Sequence, residues 1–193
     1  MSYPVKDFQH LLGTEGFSDK LLKNHFTLYQ GYVRNYNKLK STLEEMAAAG
    51  KQETAEYSEL KRRLSWEFDG MRLHELYFEN MGGSGRLQGK GCLAQSLTEH
   101  FGSVEAWEED FMATASMRGI GWAVLYKDKQ TGNLNNFWID EHHIGHPVNG
   151  TPLLVLDAWE HAYMVDYSLN RADYINTFFN TIDWNVVEKR ITD

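Results

Sequence analysis

At 193 residues, 42% hydrophobic and 13% aromatic, with only 3 prolines, the chain can bury a substantial core and is too apolar to be disordered. A formal net charge of -8 argues against broad contact with nucleic acid or an anionic membrane, and no stretch approaches the roughly 18 apolar residues of a membrane span. Cys92 is the only cysteine, which excludes an intrachain disulfide and an all-cysteine zinc site; with no apolar leader in MSYPVKDFQH, a soluble, cytoplasmic protein is expected.

Ser18 is placed to cap a helix running through LLKNHFTLYQGYVRNYNKLKSTLEEM, with Gly50 as its stop. A second helix is predicted from about Glu53 to Met81, ending at Gly82-Gly83, so the two form a helical hairpin. The glycine-rich MGGSGRLQGKG then breaks the pattern, and the domain boundary is put there: residues 1–84 form a helical hairpin domain and residues 85–193 a mixed one. Two shorter helices follow, LAQSLTEHF and VEAWEEDFMATASM, the second capped by Ser103. WAVLYKDK and NLNNFWID, joined by QTG, read as an antiparallel hairpin, and PLLVLD as a third, buried strand. Three helices close the chain: AWEHAYMVDYSL, RADYINTFFN after a turn at Asn170, and a last one capped by Asp183.

Some residues on these elements have the right types for chemistry. His25, Tyr29, Tyr32 and Tyr36 recur at helical spacing on one face, which by itself reads as a buried core stripe with one satisfied histidine. His74 stands one turn from both Gly70 and Tyr77; a glycine inside a helix costs about 1 kcal/mol against alanine, so something needs room there, or another helix packs close. Asp157-Ala-Trp-Glu-His161 joins a strand end to a helix start and offers a carboxylate and an imidazole, a pair that serves equally as cap and core or as ligands.

DAWEHAYMVDY resembles the DxWEHAYY signature of the iron/manganese superoxide dismutases. HFTLYQGYVRNYNK and RLHELYFENM resemble that family's two ligand helices, FGS and GIGW its central region, and NRADY, containing Arg171, its Asn-Arg motif. The resemblance implies an α+β fold: an N-terminal long helical hairpin, then an α/β domain with a three-stranded antiparallel sheet. It implies that His25, His74, Asp157 and His161 hold one iron or manganese per subunit, which converts superoxide to dioxygen and hydrogen peroxide. Three imidazoles and a carboxylate suit such an ion, whereas zinc has no redox cycle. Tyr32 is then the proton relay, Tyr77, Trp122 and Trp159 wall the pocket, and Glu160 hydrogen-bonds the partner's ligand histidine in a homodimer or a dimer of dimers.

The chain also departs from the family pattern. Tyr32 follows His25 by seven residues where the family usually has eight, and the histidine pair between them is replaced by the Tyr29-Gln30 region. Met164 replaces a tyrosine that would meet one of those histidines across the dimer. Gly70 leaves empty one of two positions that can supply a glutamine to the metal's solvent ligand; the other falls on His142, or on neighbouring His143. Against a zinc hydrolase stands the absence of HExxH, and against a di-iron bundle the absence of Glu-x-x-His. The remaining alternative is a catalytically altered family member with a structural metal or a binding role.

Overall fold

A computed structural model describes residues 2–83, 85–87, 89 and 91–192. Two long helices open it, α1 (Asp19–Ala48) and α2 (Ala55–Glu79). The Ser18 hydroxyl accepts from the Leu21 amide and the Thr54 hydroxyl from the Tyr57 amide, so each N-terminus carries a side-chain cap. Leu22, His25, Phe26, Tyr29 and Val33 are buried on α1 at three- and four-residue steps, and this stripe packs on α2 as one arm of an antiparallel hairpin. Gly50 turns the chain with φ +70°, a conformation that glycine adopts without a steric penalty.

Helices α3 (Cys92–Phe101) and α4 (Val104–Ala115) lead to a sheet of β1 (Gly121–Asp128), β2 (Leu134–Asp140) and β3 (Gly150–Asp157). All pairings are antiparallel in the order β2-β1-β3, so β1 is central and its residues Trp122 to Tyr126 are buried. Trp122 stands opposite Asp157 in the register, which brings the end of β3 beside the indole. Helices α6 (Arg171–Asn180) and α7 (Trp184–Thr192) close the chain, with Trp107, Phe111 and Phe179 buried between α4 and α6. Each such fully buried aromatic contributes about 1.5–3 kcal/mol. This is the expected α+β fold, and among the described residues no helix is long and apolar enough to cross a membrane.

Two expectations are corrected. AWEHAYMVDYSL is not one helix but a 3₁₀ turn at Glu160–Ala162 followed by a single-turn α5 (Met164–Tyr167). Tyr163 breaks it with φ −141°, its ring stacking on Tyr174 at 5.5 Å, and the Asp166 carboxylate is held by the Ser18 amide and hydroxyl at 2.7 and 2.6 Å. α2 also stops at Glu79 rather than Met81, because Asn80 and Met81 are drawn into contacts with the last helices. The Asn80 carbonyl accepts from the Asp183 amide, its side chain donates to the Val155 carbonyl at 2.6 Å, and Met81 bridges Ile182. Ser84, where the sequence divides the domains, lies outside the described residues, as do Gln88 and Lys90 of the same glycine-rich stretch.

Candidate metal centre

Four side chains from distant parts of the chain meet at one point: His25 from α1, His74 from α2, Asp157 from the end of β3 and His161 from the 3₁₀ turn. Their potential donor atoms all lie within 4.8 Å of one another. Asp157 Oδ2 is the hub, 3.1 Å from His25 Nε2, 3.0 Å from His161 Nε2 and 3.7 Å from His74 Nε2. The other carboxylate oxygen accepts from the Trp159 amide at 2.9 Å, which orients the group. His25, His74 and Asp157 are buried, while the His161 side chain keeps 23% of its surface exposed.

Burial lowers the pKa of His25 and, more strongly, of His74, so both rings are neutral at pH 7. Burial alone would raise Asp157, but the imidazole of His161 and hydrogen bonds from His161 and His25 outweigh it and hold the carboxyl well below the usual range. His74 Nδ1 faces the Gly70 carbonyl at 2.6 Å; a carbonyl only accepts, so Nδ1 carries the proton and Nε2 points a lone pair into the cluster. That Nε2 atom is buried with no hydrogen-bond partner among the described residues, an expensive arrangement that a cation at the centre would relieve.

Around the cluster runs a second layer. The Trp122 indole donates to His142 Nδ1 at 3.1 Å, and burial pushes the His142 pKa down to about 4. A neutral ring that accepts at Nδ1 carries its proton on Nε2, so His142 Nε2 donates to the Tyr32 hydroxyl oxygen, 2.6 Å away. The hydroxyl's own proton is left free. Burial also raises the Tyr32 pKa, which keeps it a phenol. His142 is therefore the residue that meets Tyr32; His143 packs instead against Trp66, at 5.6 Å between ring centroids. The His142 loop is pinned by His146, whose Nε2 donates to the His142 carbonyl at 2.9 Å while Nδ1 accepts from Tyr126 at 2.7 Å.

The seven-residue step from His25 to Tyr32 is accommodated by an unbroken α1. At about 100° per residue, seven residues return within about 20° of the starting face, whereas eight would miss it by about 80° in a regular helix. Gly70 explains itself here: an added Cβ would lie 2.7 Å from Tyr32 Cδ1, so the phenol ring occupies the space that a side chain would need.

Trp122, Trp159 and Tyr77 pack against the cluster, with ring centroids 4.9 Å from His74, 5.8 Å from His161 and 5.3 Å from His25 respectively. Sequence reasoning missed Trp66, whose ring packs 4.8 Å from His142, although Trp66, Gly70 and His74 form a four-residue helical row that could have signalled it. Tyr174 was also missed; its hydroxyl donates to the Asp157 carbonyl at 2.6 Å. Tyr29 and Arg171 make their contacts away from the four-residue cluster. The Tyr29 hydroxyl accepts from the Lys6 amide and donates to Glu75 at 3.0 Å, drawn to that buried carboxylate rather than to the cluster. Arg171 clamps the carbonyls of Ser116, Met117, Gly119 and Ala158, fixing the turns that flank the site from outside. Glu160 is exposed.

Comparison with known proteins agrees with this geometry. Residues 89–190 match the family model of the iron/manganese superoxide dismutases, C-terminal domain. The chain is 38% identical to "Superoxide dismutase [Mn] 2" of Haloferax volcanii, over 84% of this chain and 80% of that protein. It is also 38% identical to "Superoxide dismutase [Fe]" of Saccharolobus solfataricus, over 84% and 79% of the two chains. With "Superoxide dismutase [Fe]" of Aquifex pyrophilus it shares 35% identity over 96% of this chain and 89% of the relative.

Proposed function

The chain belongs to the iron/manganese superoxide dismutase family, and we propose on that premise that it disproportionates superoxide at the cluster of His25, His74, Asp157 and His161, which hold one iron or manganese ion per subunit. The observation that carries this reading is the convergence of four donors within 4.8 Å around a buried, unpartnered imidazole nitrogen. The bound ion supplies a one-electron couple, so that one superoxide is oxidised to dioxygen and a second, taking up two protons, is reduced to hydrogen peroxide.

The chain's own residues do the rest. Asp157 contributes the only negative charge among the four ligands, and the neutral imidazoles add lone pairs without repelling an anionic substrate. The Gly70 carbonyl fixes which nitrogen of His74 faces the ion, and the Trp159 amide fixes the carboxylate. Trp122, Trp159, Trp66 and Tyr77 exclude bulk water, which strengthens electrostatic interactions inside. Tyr32 is the inner proton donor: His142 holds its oxygen, and its O–H proton remains available.

We assign the protein as a homodimer, or a dimer of dimers, in which Glu160 hydrogen-bonds His161 of the partner subunit. Support comes from the exposure of Glu160, the partly open His161 and the exposed apolar Met164, Val165 and Leu169 that follow them. The lone, free Cys92 supports a reducing, cytoplasmic setting. We divide the chain into a hairpin domain, 1–84, and an α/β domain, 85–193.

Elemental analysis of purified protein beside a superoxide-decay assay tests the function. About one iron or manganese per chain with rapid superoxide removal is expected, and His161→Ala should lose most of both. Full metal content and activity in His161→Ala would overturn the ligand set. Stoichiometric metal with no superoxide removal by the unaltered protein would favour a structural metal instead.

A further inference from the structure

The cluster does not account for the polar groups that face Tyr32 from outside. Beside Tyr32 opens a cleft of about 330 Å³, lined by Arg63, Trp66 and Glu67 of α2 together with Thr27 and Asn35 of α1. Glu67 is only 4% exposed, although it sits at the edge of the protein. One carboxylate oxygen, Oε1, accepts from Arg63 Nε at 2.8 Å; the other, Oε2, is buried with no partner among the described residues. Trp66 Nε1 is a buried donor in the same condition. The guanidinium of Arg63 lies 4.6 Å above the Trp66 ring, so both side chains are held in place from the solvent side.

Hydrogen-bond accounting gives these groups a common purpose. His142 donates to the Tyr32 oxygen, so the phenol proton has no assigned acceptor; Glu67 offers an acceptor without a donor, and Trp66 a donor without an acceptor. The cleft opens to solvent, and a water at its polar edge would take a hydrogen bond from Trp66 and donate to Glu67 while contacting Tyr32. The Arg63 pair engages Oε1 alone, so the lone pairs of the buried Oε2 are left for another donor.

We propose that Glu67 is the outer proton-relay carboxylate of this site, carrying protons from solvent through a bound water to Tyr32. The proposal rests on the superoxide dismutase reading above. In each passage Glu67 takes up one proton from solvent entering the cleft and passes it to the bound water, the water hands one of its own to the Tyr32 oxygen as Tyr32 gives its proton inward, and Glu67 is left a carboxylate, the water neutral and Tyr32 a phenol. Two passages supply the two protons that hydrogen peroxide needs. Electrons take no part in the relay.

Glu67→Gln keeps the size and the bond to Arg63 but cannot carry a proton. With unchanged metal content, its kcat at saturating superoxide should fall about 10-fold, less than the about 10²–10⁴-fold attributed to a group that transfers a proton directly. kcat/KM should not fall, and millimolar imidazole, a small diffusible acid, should restore kcat. A second readout needs no turnover: a high-resolution crystal structure should show a water within hydrogen-bonding distance of Glu67 Oε2 and the Tyr32 hydroxyl. An absent water, a wild-type kcat in Glu67→Gln, or a loss that imidazole does not restore would each overturn the relay. Failure of the unaltered, metal-loaded protein to remove superoxide would overturn the underlying function instead.

Discussion

Gly70→Ala probes the point where the two hairpin helices and the second layer of the site meet. An added Cβ would stand 2.7, 2.8 and 3.2 Å from Tyr32 Cδ1, Cε1 and Cγ. Carbon atoms settle at about 3.5–4.0 Å, so the ring must retreat by about 1 Å. The Tyr32–His142 hydrogen bond, 2.6 Å at present, would then stretch past its useful range. Overpacking costs about 1–3 kcal/mol and the lost bond about 1 kcal/mol, while alanine returns about 1 kcal/mol of helix propensity. The net expectation is a loss of about 1–3 kcal/mol, read by urea denaturation of metal-free protein, with a fall in superoxide removal by the loaded form. A double-mutant cycle isolates the cause: in a Tyr32→Ala background the same change should be neutral or stabilise by up to about 1 kcal/mol. If Gly70→Ala matches the unaltered protein in stability and in activity, the reasoning about this contact is wrong.

Acid should weaken the metal-free fold. The folded His142 pKa of about 4 lies below its ordinary 6.5, so between those values the unfolded chain binds a proton that the fold refuses, and stability falls as pH drops through that window. The contribution is about 3 kcal/mol, and His142→Gln should flatten the decline in denaturation curves taken at pH 7 and pH 4.5. Glu160→Ala should loosen metal and dimer together, by about 10–100-fold in metal affinity; unchanged mass by light scattering with unchanged metal content would reject that role. Reconstitution with iron and with manganese separately should give measurable activity in both forms, because Gly70 and His142 match neither a glutamine of one position nor of the other. A loaded form without activity above background would refute that expectation.

The candidate site was legible through the family resemblance rather than through spacing, since position alone left His25 a core histidine and Asp157 and His161 equally a cap and a core residue. Ser18, Ser103 and Asn170 marked helix starts, and DAWEH marked the end of β3, although the helix expected after it is a 3₁₀ turn. What periodicity cannot report is depth. Tyr29 and Tyr32 share a stripe on α1, yet one reaches the buried Glu75 and the other crosses Gly70 to His142. Nor does local preference foresee a helix broken by long-range contacts: the residues after Asp157 have helical character, and it is the rings of Tyr163 and Tyr174 and the Ser18–Asp166 bonds that divide them. Glu67 was invisible for a related reason, since a carboxylate one turn from an arginine reads as a solvated surface pair until its burial is known.

His25 and Asp157 are 132 residues apart in the chain and 3.1 Å apart in space. An ion shared between them is topologically a cross-link: it closes a loop containing most of the polypeptide, and a closure of about 100 residues restricts the unfolded ensemble by about 4–5 kcal/mol where it is covalent. Little of the centre can exist before that loop closes, so the hairpin and the sheet must associate before a complete ligand set is available. The same topology acts in reverse. With an ion held by the proposed ligands, hairpin and sheet could not separate without releasing it, so metal binding would stabilise the fold and unfolding would be coupled to metal loss.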